Sequence, residues 1–145
     1  MSTERTHTKT TSVEGSRVDA SKMQFETSGG NQFDIGGDGT PGEYMLGSIA
    51  GCYNVVGHLV AEEMGFELAD LTISVAGDVD PRVYKGDNTD ARAGYQEIRV
   101  VLDIDADVND QTVAEWVERV EERCPVCDNI FESTPSITAV SNRES

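Results

Sequence analysis

The segment Pro41–Met64 constrains this 145-residue chain more than any other feature. Thr40 is a good N-cap and Pro41 fits the first helical position. Glu43, three residues after Thr40, completes a capping box. Gly65 is the matching C-terminal stop. Between these signals Tyr44, Met45, Leu46, Ile49, Ala50, Cys52, Tyr53, Val55, Val56, Leu59 and Val60 point in nearly every direction around a helical axis. Only Glu62 and Glu63, near the end, look wet. A helix with so little polar face is buried on most sides, so the rest of the chain has to wrap it.

What surrounds the helix is read from alternation and turn residues. Residues 71–76 and 97–104 place apolar side chains at every second position, the pattern of half-buried antiparallel strands. Residues 8–13 and 17–26 are further strand candidates. The turn Ser28-Gly29-Gly30-Asn31 then reverses the chain into Gln32–Ile35. Residues 36–39 form a loop, and the polar stretch 80–94 is a long loop or hairpin end. Asp110 caps a second helix whose apolar stripe is Val113, Trp116, Val117, Val120 and Cys124. Pro125 ends that helix, because its ring cannot continue the hydrogen-bond ladder. Pro125–Phe131 is a new short helical turn, and residues 136–140 are a closing strand. The order strands, helix, strands, helix, strand is an α+β fold on antiparallel sheet. No internal repeat or linker divides it: residues 1–7 are expected to be disordered and 8–145 to form a single domain.

Charge narrows the function classes. The formal net charge is −16, and Lys9, Lys22 and Lys85 are the only lysines. The acids are spread along the chain, as on a solvated surface, which suits a high-salt cytoplasm where screening removes most self-repulsion. No basic patch exists to neutralise phosphates, so nucleic acid is not an expected partner. No apolar run approaches the roughly 20 residues that cross a bilayer. The Thr/Ser-rich N-terminus has no apolar segment to serve as a signal peptide, so a cytoplasmic location is expected. The Gly29-Gly30 and Gly36-Gly37 pairs lack the pattern of a phosphate loop or a dinucleotide fingerprint.

The residues left to carry chemistry are Cys52, Cys124 and Cys127. An odd number of cysteines without a signal peptide is no secreted disulfide framework, which leaves catalysis, redox chemistry or metal binding. Taken alone, Cys52 in mid-helix is a small core residue. A reactive role needs a partner thiol and something that stabilises a thiolate. Cys124 offers both: it ends the apolar stripe of the second helix, and it precedes Pro125 as N-cap of the next turn. Free N–H groups and the helix dipole lower a thiol pKa there. The alternative is a packing cysteine before a break. Cys127 completes Cys124-Pro125-Val126-Cys127, whose spacing suits a redox dithiol or half of a metal site. A structural zinc site usually wants four ligands, and Cys52, His58 and His7 do not form a second close pair. Redox therefore ranks above metal, and no metal or cofactor is expected. His58, six residues after Cys52, lies well off its face and reads as a surface or interface histidine. The acidic pairs Glu62-Glu63, Asp78/Asp80 and Glu121-Glu122 read as solvated face.

Two segments carry a resemblance. Thr40-Pro41-Gly42-Glu43-Tyr44-Met45-Leu46-Gly47-Ser48-Ile49-Ala50-Gly51-Cys52 looks like the central-helix signature of the OsmC/Ohr family, a Pro and Glu, then small and apolar residues, ending Ala-Gly-Cys. Arg123-Cys124-Pro125-Val126-Cys127 resembles the family's second, Cys-Pro-Val-Ser-like segment, with Cys127 where the family often has serine. The resemblance spans roughly residues 8–142. It implies an intertwined homodimer whose antiparallel sheets wrap two long buried central helices. It also implies a thiol-dependent peroxidase. The cysteine matching Cys52 attacks the O–O bond of an organic hydroperoxide and becomes a sulfenic acid. The one matching Cys124 closes a disulfide, and a dithiol such as a lipoylated protein restores the reduced state. Cys127 would act as a second resolver or exchange thiol, with Arg17 and Glu43 as candidates for positioning the thiolate.

The chain also departs from the family. Where the best-studied members carry a Glu ten residues before the cysteine, this chain has Gly42. Glu43, nine before, falls about 180° round the helix from Cys52. The rival reading is therefore the same fold used to hold a lipophilic ligand or to sense redox state, without peroxidase turnover.

Overall fold

The computed structural model describes residues 7–132 and 134–141. Apart from His7, the N-terminal segment expected to be disordered lies outside the described residues. The chain forms two compact units, Met1–Met45 and Leu46–Ser145.

The first unit holds a three-stranded antiparallel sheet in the order β1-β2-β3, with β1 at Val13–Asp19, β2 at Lys22–Thr27 and β3 at Gln32–Ile35. The expected strand over 17–26 is broken here. Asp19 accepts hydrogen bonds from the Ser21 backbone N–H at 2.8 Å and the Ser21 hydroxyl at 3.0 Å, and this local turn folds β1 back onto β2. Residues 8–12 are not in a strand. Phe25 and Phe33 sit opposite each other on β2 and β3 and stack with ring centroids 5.0 Å apart. After β3 the chain turns at Gly36, at φ 100°. A Cβ there would lie 1.8 Å from the Ser21 carbonyl oxygen, so only glycine fits.

Helix α1, Pro41–Met64, runs between the bounds the sequence sets. The capping box forms as expected: the Glu43 carboxylate accepts from Thr40 N–H at 2.9 Å, and the Thr40 hydroxyl oxygen accepts from Glu43 N–H at 3.1 Å.

In the second unit, β4 (Leu68–Asp78) and β5 (Glu97–Ala106) form an antiparallel pair. Their inward residues include Leu71, Ile73, Val75, Val100, Leu102 and Ile104, paired as Leu71↔Ile104, Ile73↔Leu102 and Val75↔Val100. This is the alternation expected of strands with one face on a core. Between the strands, where only a loop was expected, lies a short helix α2, Pro81–Lys85. It has Asp80 as N-cap, Pro81 at its first position and Gly86 in the left-handed conformation at its end. Helix α3, Asp110–Arg123, starts from Asn109 and not from Asp110, since the Asn109 side chain accepts from Thr112 N–H at 2.8 Å. Helix α4, Pro125–Phe131, follows at once. The expected closing strand over 136–140 is not present: these residues pair with no strand among the described residues, and Ile137 and Val140 are almost fully exposed. Among the described residues no helix is long and apolar enough to cross a membrane.

The core consists of Ile49, Tyr53, Val56, Val60 and Ala61 on α1, Trp116 and Val120 on α3, and Cys124 and Cys127 around α4. The Trp116 indole lies over the backbone of α1 and donates from Nε1 to the Gly57 carbonyl at 2.8 Å. A Cβ at residue 57 would come within 2.5 Å of that ring, so Gly57 is what permits the approach. Within the single chain, the burial expected of this helix covers one stripe. Val55 is 63% and Leu59 46% exposed on another.

Candidate functional site

Three sulfurs meet at the start of α4. Cys124 caps that helix: its Sγ accepts a hydrogen bond from the Cys127 backbone N–H at 3.3 Å. This is the role its place before Pro125 predicts, a side chain satisfying one of the free N–H groups of a helix start. Cys52, two turns into the apolar part of α1, reaches the same point. Cys52 packs against this cluster, within interaction range of the Cys124 thiol and the Val126 backbone N–H. Cys124 interacts in turn with the Cys127 thiol. Cys124 and Cys127 are buried, while Cys52 is half-buried. All three are free thiols.

Electrostatics orders them. Burial pushes the Cys52 thiol up, the hydrogen bond to Cys124 pushes it further, and the Val126 N–H works the other way. Burial also raises Cys124, as does its bond to Cys127, while the bond to Cys52 lowers it. Cys127 is raised by burial and lowered by the bond to Cys124. Charge on Cys52 and the Glu121 carboxylate raise it again. In this resting arrangement desolvation outweighs the helix-start N–H groups, and the thiols hold their protons.

A second pair adjoins the sulfurs. The buried Tyr53 hydroxyl donates to Glu121 Oε2 at 2.5 Å, and burial followed by this carboxylate holds the phenol protonated far above its ordinary range. Sequence reasoning placed Glu121 on a solvated face and Tyr53 in the core. The missed signal was a phenol on the buried stripe of α1, which needs a partner for its hydroxyl. Glu121 and Cys127, with Asp128, Phe131 and Glu132, line a cavity of about 210 Å³. The other acidic pairs are also engaged: Glu63 with Arg123 at 2.7 Å, Asp78 with Arg99 at 2.6 Å, and Asp80 with Arg82 at 2.6 Å. Arg82 pulls the Asp80 carboxyl down to about 2.

Arg17 and Glu43 belong to the first unit, the three sulfurs to the second. Arg17 sits exposed on β1 opposite Met23, beside a cavity of about 420 Å³ whose walls include Met23, Phe25 and Ile35. The Glu43 carboxylate is occupied by the capping box. His58 is exposed. Among the described residues no group of three or more His, Cys, Asp or Glu side chains is placed to hold a metal ion.

Comparison with known proteins bears on this geometry. None of the curated proteins matches the sequence. An OsmC-like protein from Mycoplasma pneumoniae has a similar solved structure, with TM-score 0.73 and 19% identity over 86% of this chain and 89% of its own. A hypothetical protein from Aquifex aeolicus superposes with TM-score 0.70 and 22% identity, covering 88% of this chain and 91% of its own. An organic hydroperoxide resistance protein OsmC from Legionella pneumophila, also described as a predicted redox protein, matches with TM-score 0.55 and 16% identity over 84% and 89%. At these identities the structures share the fold. The family model described as OsmC-like protein matches residues 35–140, which include α1 and all three cysteines, and the chain therefore belongs to the OsmC family.

Proposed function

We propose that the protein is a thiol-dependent peroxidase that reduces organic hydroperoxides in oxidative-stress defence. The observation that carries this reading is that Cys52 packs against the cluster holding Cys124, the N-cap of α4, and interacts with its thiol. A reacting thiol and a resolving thiol are in reach of each other without rearrangement of the core. Membership of the OsmC family, and the hydroperoxide resistance for which the Legionella relative is named, agree with a redox role.

The Cys52 thiolate attacks one peroxide oxygen, the O–O bond breaks, and the alcohol leaves with a proton, giving a Cys52 sulfenic acid. Cys124 then attacks that sulfur and expels water, leaving a Cys52–Cys124 disulfide. A dithiol, such as a lipoyl group on a protein, reduces it by exchange and becomes a disulfide itself. Cys52 keeps its proton at rest, so the rate should rise with pH as the thiolate fraction grows.

The working form in this reading is a cytoplasmic homodimer. Val55 and Leu59, exposed on α1 beside Gly51, which has open space above it, are the face on which a second copy would pack.

Stopped-flow consumption of cumene hydroperoxide and of H₂O₂ by the reduced protein in high salt tests the activity. The expected result is fast loss of the organic peroxide, abolished in Cys52→Ser. In Cys124→Ser one turnover should be followed by over-oxidation. Equal consumption by Cys52→Ser would overturn the reading. One observation favours a second reading, a redox sensor or lipophilic-ligand carrier on the same fold: burial raises all three thiols. Thiols inert to peroxide, with a co-purified ligand in native mass spectrometry, would put that reading first.

A further inference from the structure

The peroxidase reading uses two of the three sulfurs, and the third stands in a fixed relation to both. Cys124 lies between Cys52 and Cys127 and contacts each, whereas Cys127 alone of the three lines the 210 Å³ cavity. Cys124 and Cys127 are the N-cap and third residue of α4, with the Cys127 N–H on the Cys124 sulfur at 3.3 Å. This is a C-x-x-C dithiol at a helix start, a spacing suited to disulfide chemistry.

We propose that Cys127 is the terminal thiol of a three-sulfur relay, attacking Cys124 in the Cys52–Cys124 disulfide so that the bridge moves to Cys124–Cys127 and Cys52 is released. The inference rests on the peroxidase reading for the origin of the first disulfide. The exchange is internally balanced. The Cys127 sulfur forms a bond to the Cys124 sulfur, and the Cys124–Cys52 bond breaks. The Cys127 proton ends on the departing Cys52 sulfur, and no net electrons enter or leave. Two observations set the direction. The new bridge closes only the short Cys124–Cys127 span, where the attacking thiol is held close by the helix start. And it places an oxidised sulfur on the wall of the 210 Å³ cavity that Cys127 lines. The relay thus separates the two halves of the cycle in space: peroxide meets Cys52, and reductant meets Cys127.

The test uses the full chain, reduced and then treated with one equivalent of cumene hydroperoxide, acid-quenched at intervals, with disulfides mapped by peptide mass spectrometry. A parallel sample is oxidised with diamide, which forms disulfides whether or not the protein reacts with peroxide. The expected sequence is a Cys52–Cys124 bridge that gives way to Cys124–Cys127, with Cys52 again open to alkylation. Cys127→Ser should stop at the first bridge. Without reductant, the unaltered protein should consume two equivalents of peroxide, the second leaving a dimedone-reactive Cys52 sulfenic acid, while Cys127→Ser consumes one. Glu121→Gln, which removes a charge that raises Cys127, should speed the transfer. A bridge that stays at Cys52–Cys124 in both oxidants, with Cys127 still alkylatable, overturns the relay and leaves the peroxidase intact. Transfer under diamide with no peroxide consumed keeps the relay and overturns the peroxidase.

Discussion

Two faces of α1 are made of similar residues and meet different fates. One carries Ile49, Tyr53, Val56, Gly57 and Val60 and is sealed within the chain by Trp116, Val120, Cys124 and Cys127. The other carries Gly51, Val55 and Leu59 and is bare. Composition does not separate them. What does is a single large ring laid against a glycine: Trp116 closes on Gly57, and among the described residues none closes on Gly51. Apolar character shows that a face wants cover, and the cover comes from elements remote in sequence.

The sharpest way to break the contrast is to remove the seal. Trp116→Ala deletes the largest buried side chain together with its hydrogen bond to Gly57, and should cost about 3–5 kcal/mol in chemical denaturation. A loss below 1 kcal/mol would show that the indole is not what closes this face. The matching change on the bare face, Val55→Glu with Leu59→Glu, should leave helix content unaltered. By sedimentation it should convert a species of twice the 15.7 kDa chain mass into one of a single chain. An unaltered species already at one chain mass would remove the dimer from the functional reading.

A smaller contrast compares two glycines. Gly57→Ala pushes a methyl to 2.5 Å from the Trp116 ring and should destabilise by about 1–3 kcal/mol. Gly51→Ala meets nothing among the described residues and should stabilise the helix by roughly 0.5–1 kcal/mol. Destabilisation there instead would reveal a close-packed partner helix.

The mildest perturbation is pH. A thiol raised in the folded state favours folding while it is protonated. That contribution is complete below the ordinary thiol value of 9.0 and is lost as pH rises above it, with buried Tyr53 adding to the loss above 10.0. Urea midpoints should therefore hold steady from neutral pH to about 9 and fall beyond it. The alkylation rate of Cys52 should climb about tenfold per pH unit over the neutral range. A plateau near pH 7 would mean that a cation reaches Cys52 in solution.

The elements legible in the sequence were those fixed by neighbours along the chain. The bounds of α1 follow from Thr40, Pro41, Glu43 and Gly65. The strand pair β4–β5 follows from alternation, and the cap of α4 from Cys124 before Pro125. Even the misplaced parts had local causes: Asp19 and Ser21 fold a strand into a hairpin, and Asp80-Pro81 with Gly86 makes a helix where a loop was expected. The expected strand over 136–140 failed for a different reason, since a strand exists only against another strand and no described residue of this chain supplies one.

The sequence by itself determined a long capped helix, an acidic surface, an antiparallel α+β fold and three cysteines with redox spacing. Tertiary structure alone decided that the Tyr53 hydroxyl would find Glu121, 68 residues away, that the Trp116 indole would find the Gly57 carbonyl, 59 away, and that Cys124 would sit between the other two sulfurs. Capping boxes and alternation act within a few residues and leave their mark in the sequence. Contacts between residues this far apart depend on how two helices pack, and packing is settled only when every side chain at the contact is placed at once.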